Sequence, residues 1–123
     1  MPPLILVVED DPDVLGLLVT ILTGEGYRVA TAQDGEQGLT EARSATPDLI
    51  VLDLMLPRMN ALQFREAQRL DTTICHVPVI CLSGASHAAT VAWELGTDDC
   101  LAKPIDLEAF LRVVRKHCAP PGS

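Results

Sequence analysis

Aromatic side chains are nearly missing from this chain: one Trp, one Tyr and two Phe, 3 % of 123 residues. A core must therefore be assembled from Leu, Val, Ile and Ala. The hydrophobic content of 48 % supplies enough of these for one ordinary domain. Positive charge is also short, with 9 Lys and Arg against 17 Asp and Glu, for a net charge of -8. That balance excludes a basic face that would meet nucleic-acid phosphates, and it disfavours an anionic membrane surface. No apolar run reaches the roughly 20 residues of a membrane span. The opening "MPPLILVVEDD" lacks the basic segment and small-residue cleavage site of a signal peptide. The cysteines, Cys75, Cys81, Cys100 and Cys118, are dispersed and form no C-x-x-C pair. Structural zinc is not expected, and free thiols in a reducing cytoplasm are.

Short apolar runs alternate with helix-like stretches. "LILVV" (4–8) is continuously apolar, as in a strand covered on both faces. Asp11-Pro12-Asp13 then supplies an N-cap, a proline at the first helical position and an acid beside the positive helix end. Val14, Leu15, Leu18, Ile21 and Leu22 form the apolar stripe of that helix. Strands are expected at 28–32, 48–53, 77–83 and 99–103, and helices over 35–43, 61–70, 88–95 and 106–118. Asp34 and Asp106 are caps, and Gln37 suits the return position of a capping box. Crossovers of this length predict a parallel sheet with right-handed connections. The expected fold is α/β: a flavodoxin-like, doubly wound, five-stranded parallel sheet of order 2-1-3-4-5 with five helices. One domain spans 1–119, and 120–123 form a tail or the start of a linker.

"ILVVEDDPDV" runs a buried strand into Glu9, Asp10 and Asp11, three carboxylates that repel one another. Asp11 is accounted for as a helix cap. For strand order 2-1-3-4-5, the ligand edge lies between strands one and three. Glu9 and Asp10 converge there with Asp53, the end of strand three, while Ser83 and Lys103 end strands four and five. Three carboxylates are best relieved by a hard divalent cation, and Mg²⁺ fits because it takes one or two carboxylates and a phosphate ligand. A carboxylate can also act as nucleophile and become an aspartyl phosphate. Lys103 offers an ammonium and Ser83 a hydroxyl for the charge that spreads over a transferring phosphoryl group.

"ILVVEDDPDV", "PDLIVLDLMLPRMN", "VPVICLSG" and "GTDDCLAKPIDLEAF" together resemble the receiver domain of bacterial two-component response regulators, from Leu4 to Cys118. The resemblance implies a cytoplasmic signalling phosphoacceptor rather than an enzyme acting on other substrates. Asp53 would take a phosphoryl group from a phosphohistidine on a sensor histidine kinase or phosphotransfer protein. Asp10 would bind Mg²⁺ directly, Glu9 would help hold it through water, and the Met55 carbonyl would be a further ligand. Ser83 stands where the family has Thr or Ser, and Lys103 stands at its near-universal Lys, with a cis bond to Pro104. The helix over 88–95, strand five and the last helix would form the face for an output partner or a homodimer. Trp93 falls off the apolar stripe of Ala88, Val91, Ala92 and Leu95, so it is expected to be partly exposed on that face.

Three features depart from the family pattern. Asn60-Ala61 replaces the usual Asp-Gly, so the turn after strand three should differ, although Asn tolerates a left-handed conformation. The segment from Ser83 to Lys103 is short, which predicts a tight loop before the helix over 88–95. Cys100 occupies the place where many receivers have a switching Tyr or Phe. The competing functions are a non-phosphorylated pseudo-receiver serving as an interaction module, a flavodoxin-like cofactor binder and a Mg²⁺-dependent aspartyl phosphatase. The intact five polar residues oppose the first, the missing aromatics oppose the second, and Leu54-Met55 after Asp53, in place of D-x-D, opposes the third.

Overall fold

A computed structural model describes residues 2–54, 56, 58–84 and 96–121. In chain order the elements are β1 (Leu4–Val8), α1 (Pro12–Gly24), β2 (Arg28–Ala32), α2 (Gly35–Ser44), β3 (Leu49–Asp53), α3 (Ala61–Leu70), β4 (Val79–Ser83), β5 (Asp99–Ala102) and α4 (Leu107–His117). The strands form one sheet in the order β2-β1-β3-β4-β5, and every pair is parallel. The order and the doubly wound form agree with expectation, with four helices among the described residues. The helix expected over 88–95 and the loop before it lie outside them, as do Met55 and Trp93.

The apolar runs become strands because both of their faces are covered. On one face Leu6, Val8, Ile50, Leu52 and Val79 pack with Leu39, Phe64 and Ile74. On the other, Ile5, Val7, Leu49, Val51, Ile80 and Leu82 pack with Leu18, Leu22, Phe110 and Val114. Phe64 fills one face, Phe110 and Tyr27 fill the other, and aliphatic side chains supply most of the rest.

The caps explain the helix starts. Asp11 accepts from the amides of Asp13 and Val14, Asp34 from Gln37 and Asp106 from Glu108. The Gln37 side chain accepts from the amide of Gln33 rather than from that of the cap residue. The turn after β3 differs from expectation in its chemistry. Asn60 is extended (φ -75) and closes a full capping box with Gln63. The left-handed residue is Arg58, at φ 66. Asn60 is thus used for its side-chain oxygen, not for its tolerance of positive φ.

Two strands begin later than the apolar pattern suggested. Asp48 precedes β3, and its backbone and side chain clasp Leu4 from both sides. β4 starts at Val79 because Pro78 has no amide to give to a ladder. The preceding segment is held instead by buried Gln68, whose amide nitrogen donates to the carbonyls of Ile74 and Val77. No helix among the described residues is long and apolar enough to cross a membrane.

Candidate functional site

The C-terminal ends of β1, β3, β4 and β5 share one edge of the sheet; β3 and β4 end in Asp53 and Ser83, and Glu9 and Lys103 directly follow β1 and β5. The amide of Glu9 continues the β1–β2 ladder onto the Ala32 carbonyl. The Leu54 amide bonds the Leu82 carbonyl, which ties the residue after Asp53 to β4. The Lys103 amide bonds the Ser83 carbonyl at 2.7 Å, so the residues ending β4 and following β5 are held together by the backbone. The Lys103–Pro104 bond is cis, as the resemblance implied.

Three carboxylates meet on this edge. One oxygen each from Glu9, Asp10 and Asp53 lies within 4.8 Å of the others. Asp10 is exposed, whereas Glu9 is fully buried and Asp53 almost so. Lys103 reaches over the pair, with its Nζ 2.9 Å from Glu9 Oε1 and 3.2 Å from Asp53 Oδ1. The fit to a hard cation is good in chemistry: the donors are all carboxylate oxygens, and the exposed Asp10 leaves a solvent side from which an ion could enter with its waters.

The electrostatics follow from burial. Loss of solvent pushes the Glu9 carboxyl above its ordinary range. Lys103 opposes that shift, and the neighbouring Asp53 charge adds to it. Burial also works against the Lys103 ammonium. Its bond to Glu9 and the charge of Asp53 outweigh that penalty, and its pKa is raised. Lys103 is therefore firmly cationic between two buried oxygens, which suits it to hold an anion placed beside Asp53.

The structure brings Glu9, Asp10, Asp53, Ser83 and Lys103 to a single edge, with Ser83 buried. Glu9 has a partner that the sequence did not indicate: the ammonium of Lys103, 94 residues away. Another expectation is corrected. Cys81 and Cys100 are not free thiols but a disulfide, with Cα atoms 4.4 Å apart. They are directly opposed in the β4–β5 register and project from the same face of the sheet. The spacing of Cys81 before Ser83 and of Cys100 before Lys103 carried that signal, but only once the register of the two strands is known. Cys75 and Cys118 are free. Sequence patterning also missed a buried polar link. Arg65 donates to Gln68 at 2.5 Å and to the Gly96 carbonyl at 2.8 Å, joining α3 to the segment that leads into β5.

Residues 5–115 match the family model for the response regulator receiver domain. The DNA-binding response regulator MtrA of Mycolicibacterium smegmatis is 39 % identical over 113 residues, which are 90 % of this chain and 48 % of that protein. The response regulator ArlR of Staphylococcus aureus is 38 % identical over 114 residues, again 90 % of this chain and 50 % of its own length. The chain thus spans about half the length of these curated relatives. Among solved structures, the chemotaxis protein CheY4 of Vibrio cholerae superposes with a TM-score of 0.87 at 25 % identity, covering 95 % of this chain and 99 % of that one. The receiver domain of a sensor histidine kinase from Pseudomonas aeruginosa, with a magnesium ion coordinated in its active site cleft, gives 0.86 at 27 % identity, covering 95 % and 98 %.

Proposed function

This chain belongs to the response regulator receiver domain family, and on that premise we propose that Asp53 is its phosphoacceptor, with Asp10 and Asp53 as carboxylate ligands of a Mg²⁺ ion. The observation that carries the proposal is Lys103, whose ammonium bridges Glu9 and Asp53 at 2.9 and 3.2 Å beside the three-carboxylate cluster. Asp53 attacks the phosphorus of a phosphohistidine on a histidine kinase or phosphotransfer protein. The P–N bond breaks, the imidazole leaves with the bonding electrons, and an acyl phosphate remains on Asp53. Lys103, 3.2 Å from Asp53, would take up charge on the phosphoryl oxygens, and Ser83 at the end of β4 would donate its hydroxyl to one of them. Glu9 keeps the ammonium in position. Bound Mg²⁺ would supply charge neutralisation between Asp53 and the incoming phosphoryl oxygens, and the Met55 carbonyl is proposed as a further ligand.

The output surface is proposed for the side of the sheet around β5 and α4, where a second copy or an output partner would dock and where Trp93 would contribute. The net charge of -8 makes direct nucleic-acid contact by this domain unfavourable. Incubation with acetyl phosphate and Mg²⁺, followed by intact-mass measurement, tests the assignment. One phosphoryl mass should appear on the wild type and none on Asp53→Asn. Uptake of that mass by Asp53→Asn would overturn it.

A further inference from the structure

We propose that Cys81 and Cys100 form a reversible redox site that controls how readily Asp53 accepts a phosphoryl group. The two residues face each other across the β4–β5 pair, with Cα atoms 4.4 Å apart, at the short end of what a disulfide can span. The bridge sits two residues before Ser83 and three before Lys103, the groups that approach Asp53 from the far side of the sheet. It also shares the sheet face of Leu52, which is opposite Cys81 in the β3–β4 register and immediately precedes Asp53. Oxidation therefore couples two strands covalently just behind the site.

The two sulfurs differ in access. Cys81 is buried and Cys100 is partly exposed, so exchange begins at Cys100. In the dithiol form, the Cys100 thiolate attacks one sulfur of a low-molecular-weight disulfide such as oxidised glutathione, expelling one glutathione thiolate. Cys81, as thiolate, then attacks the Cys100 sulfur and expels the second. Two protein thiols are oxidised, one glutathione disulfide is reduced, and the two thiol protons end on the two glutathione molecules. The Thr97 hydroxyl, 3.5 Å from Cys81 Sγ, can donate to the buried thiolate during that exchange. Reduction by glutathione runs the same steps backwards.

In the oxidised form a covalent bond adds to the backbone bonds that already tie β4 to β5, and adjustment of Ser83 and Lys103 to a phosphoryl group is further restrained. Reduction removes that added restraint. This control presupposes the phosphoacceptor role of Asp53 proposed above. The wild-type protein is equilibrated with oxidised or with reduced glutathione, denatured and labelled with a maleimide. Intact mass should show two labels, on Cys75 and Cys118, after oxidation and four after reduction. Acetyl phosphate with Mg²⁺ should then transfer a phosphoryl group at least about fivefold more slowly to the oxidised form. The Cys81→Ser, Cys100→Ser double variant should lose that dependence on glutathione. Four labels at every glutathione ratio overturn the redox site. Two distinct thiol counts with equal uptake rates overturn its control of Asp53. Uptake by neither form overturns the Asp53 assignment and the control together, while the label count still decides the bridge.

Discussion

Replacing Lys103 by Met should destabilise the fold by an amount that depends steeply on pH. The wild-type ammonium lies 2.9 Å from a fully buried Glu9 carboxylate and 3.2 Å from Asp53. Removing one partner of a buried ion pair costs about 3–5 kcal/mol, because the remaining charge has neither partner nor water. About a quarter of the Lys103 side chain faces solvent (26 % exposed), so roughly 2–3 kcal/mol is the appropriate figure here. The burdened carboxyl has an escape, which is to take up a proton. The Glu9 pKa is already raised by burial, and loss of Lys103 removes the first influence that lowers it. A carboxyl with a raised folded pKa carries no penalty below its ordinary range and the full penalty above the folded value, so stability falls as pH climbs through that window. The Lys103 contribution behaves oppositely to a simple titration loss in the acid range. Its own pKa is raised, so the ammonium is present throughout neutral pH and is lost only in the alkaline range. The difference between Lys103→Met and wild type is therefore smaller in the acid range, where the raised Glu9 carboxyl takes up a proton, and full at about pH 8. Thermal unfolding followed by circular dichroism in EDTA should show a loss of roughly 10 °C at the higher pH and a few degrees at the lower. Added Mg²⁺ should recover part of the loss by neutralising the same carboxylates. An equal drop at both pH values would refute the claim that an uncompensated Glu9 charge causes it.

Gln68→Leu should cost about 1–3 kcal/mol, since it removes the side-chain donor of the buried Val77 carbonyl and leaves the Ile74 carbonyl only its bond from the Val77 amide. Hydrogen exchange should quicken around 74–79, and unchanged denaturant midpoints would count against a structural role for the amide. Reducing the Cys81–Cys100 bridge opens a loop with a sequence separation of 19 and should lower stability by about 3 kcal/mol on the chain-entropy estimate. A melting temperature insensitive to dithiothreitol would contradict it. The Cys118 thiol is pushed up to about 11, by burial first and the Asp48 charge second. Iodoacetamide near neutral pH should therefore modify the exposed Cys75 much faster than Cys118 in the folded protein. Comparable rates at the two positions, read by peptide mass, would show that Cys118 is not buried as described.

What the sequence determined by itself is whatever depends on neighbours a few residues apart. Asp11, Asp34 and Asp106 announce helix starts because a cap bonds amides two or three positions away. The apolar runs at 4–8 and 48–53 announce covered strands because period and length are local properties. Strand ends carrying Glu9, Asp10, Asp53, Ser83 and Lys103, in the order a receiver domain has them, were enough to expect that these residues share one edge of the sheet, as they do. The tertiary structure decided what depends on register and burial. Only the β4–β5 alignment sets Cys81 opposite Cys100, and a slip of one residue would turn the two sulfurs to opposite faces. Only burial makes Glu9 a partner of Lys103, because a carboxylate in water gains little from an ammonium and one without water cannot do without it. Asn60 and Gln68 show the same division. Each amide could cap, turn or pack; Asn60 found its capping box with Gln63 three residues on, a local feature, whereas only the packing of α3 against the sheet brings Gln68 to two buried carbonyls.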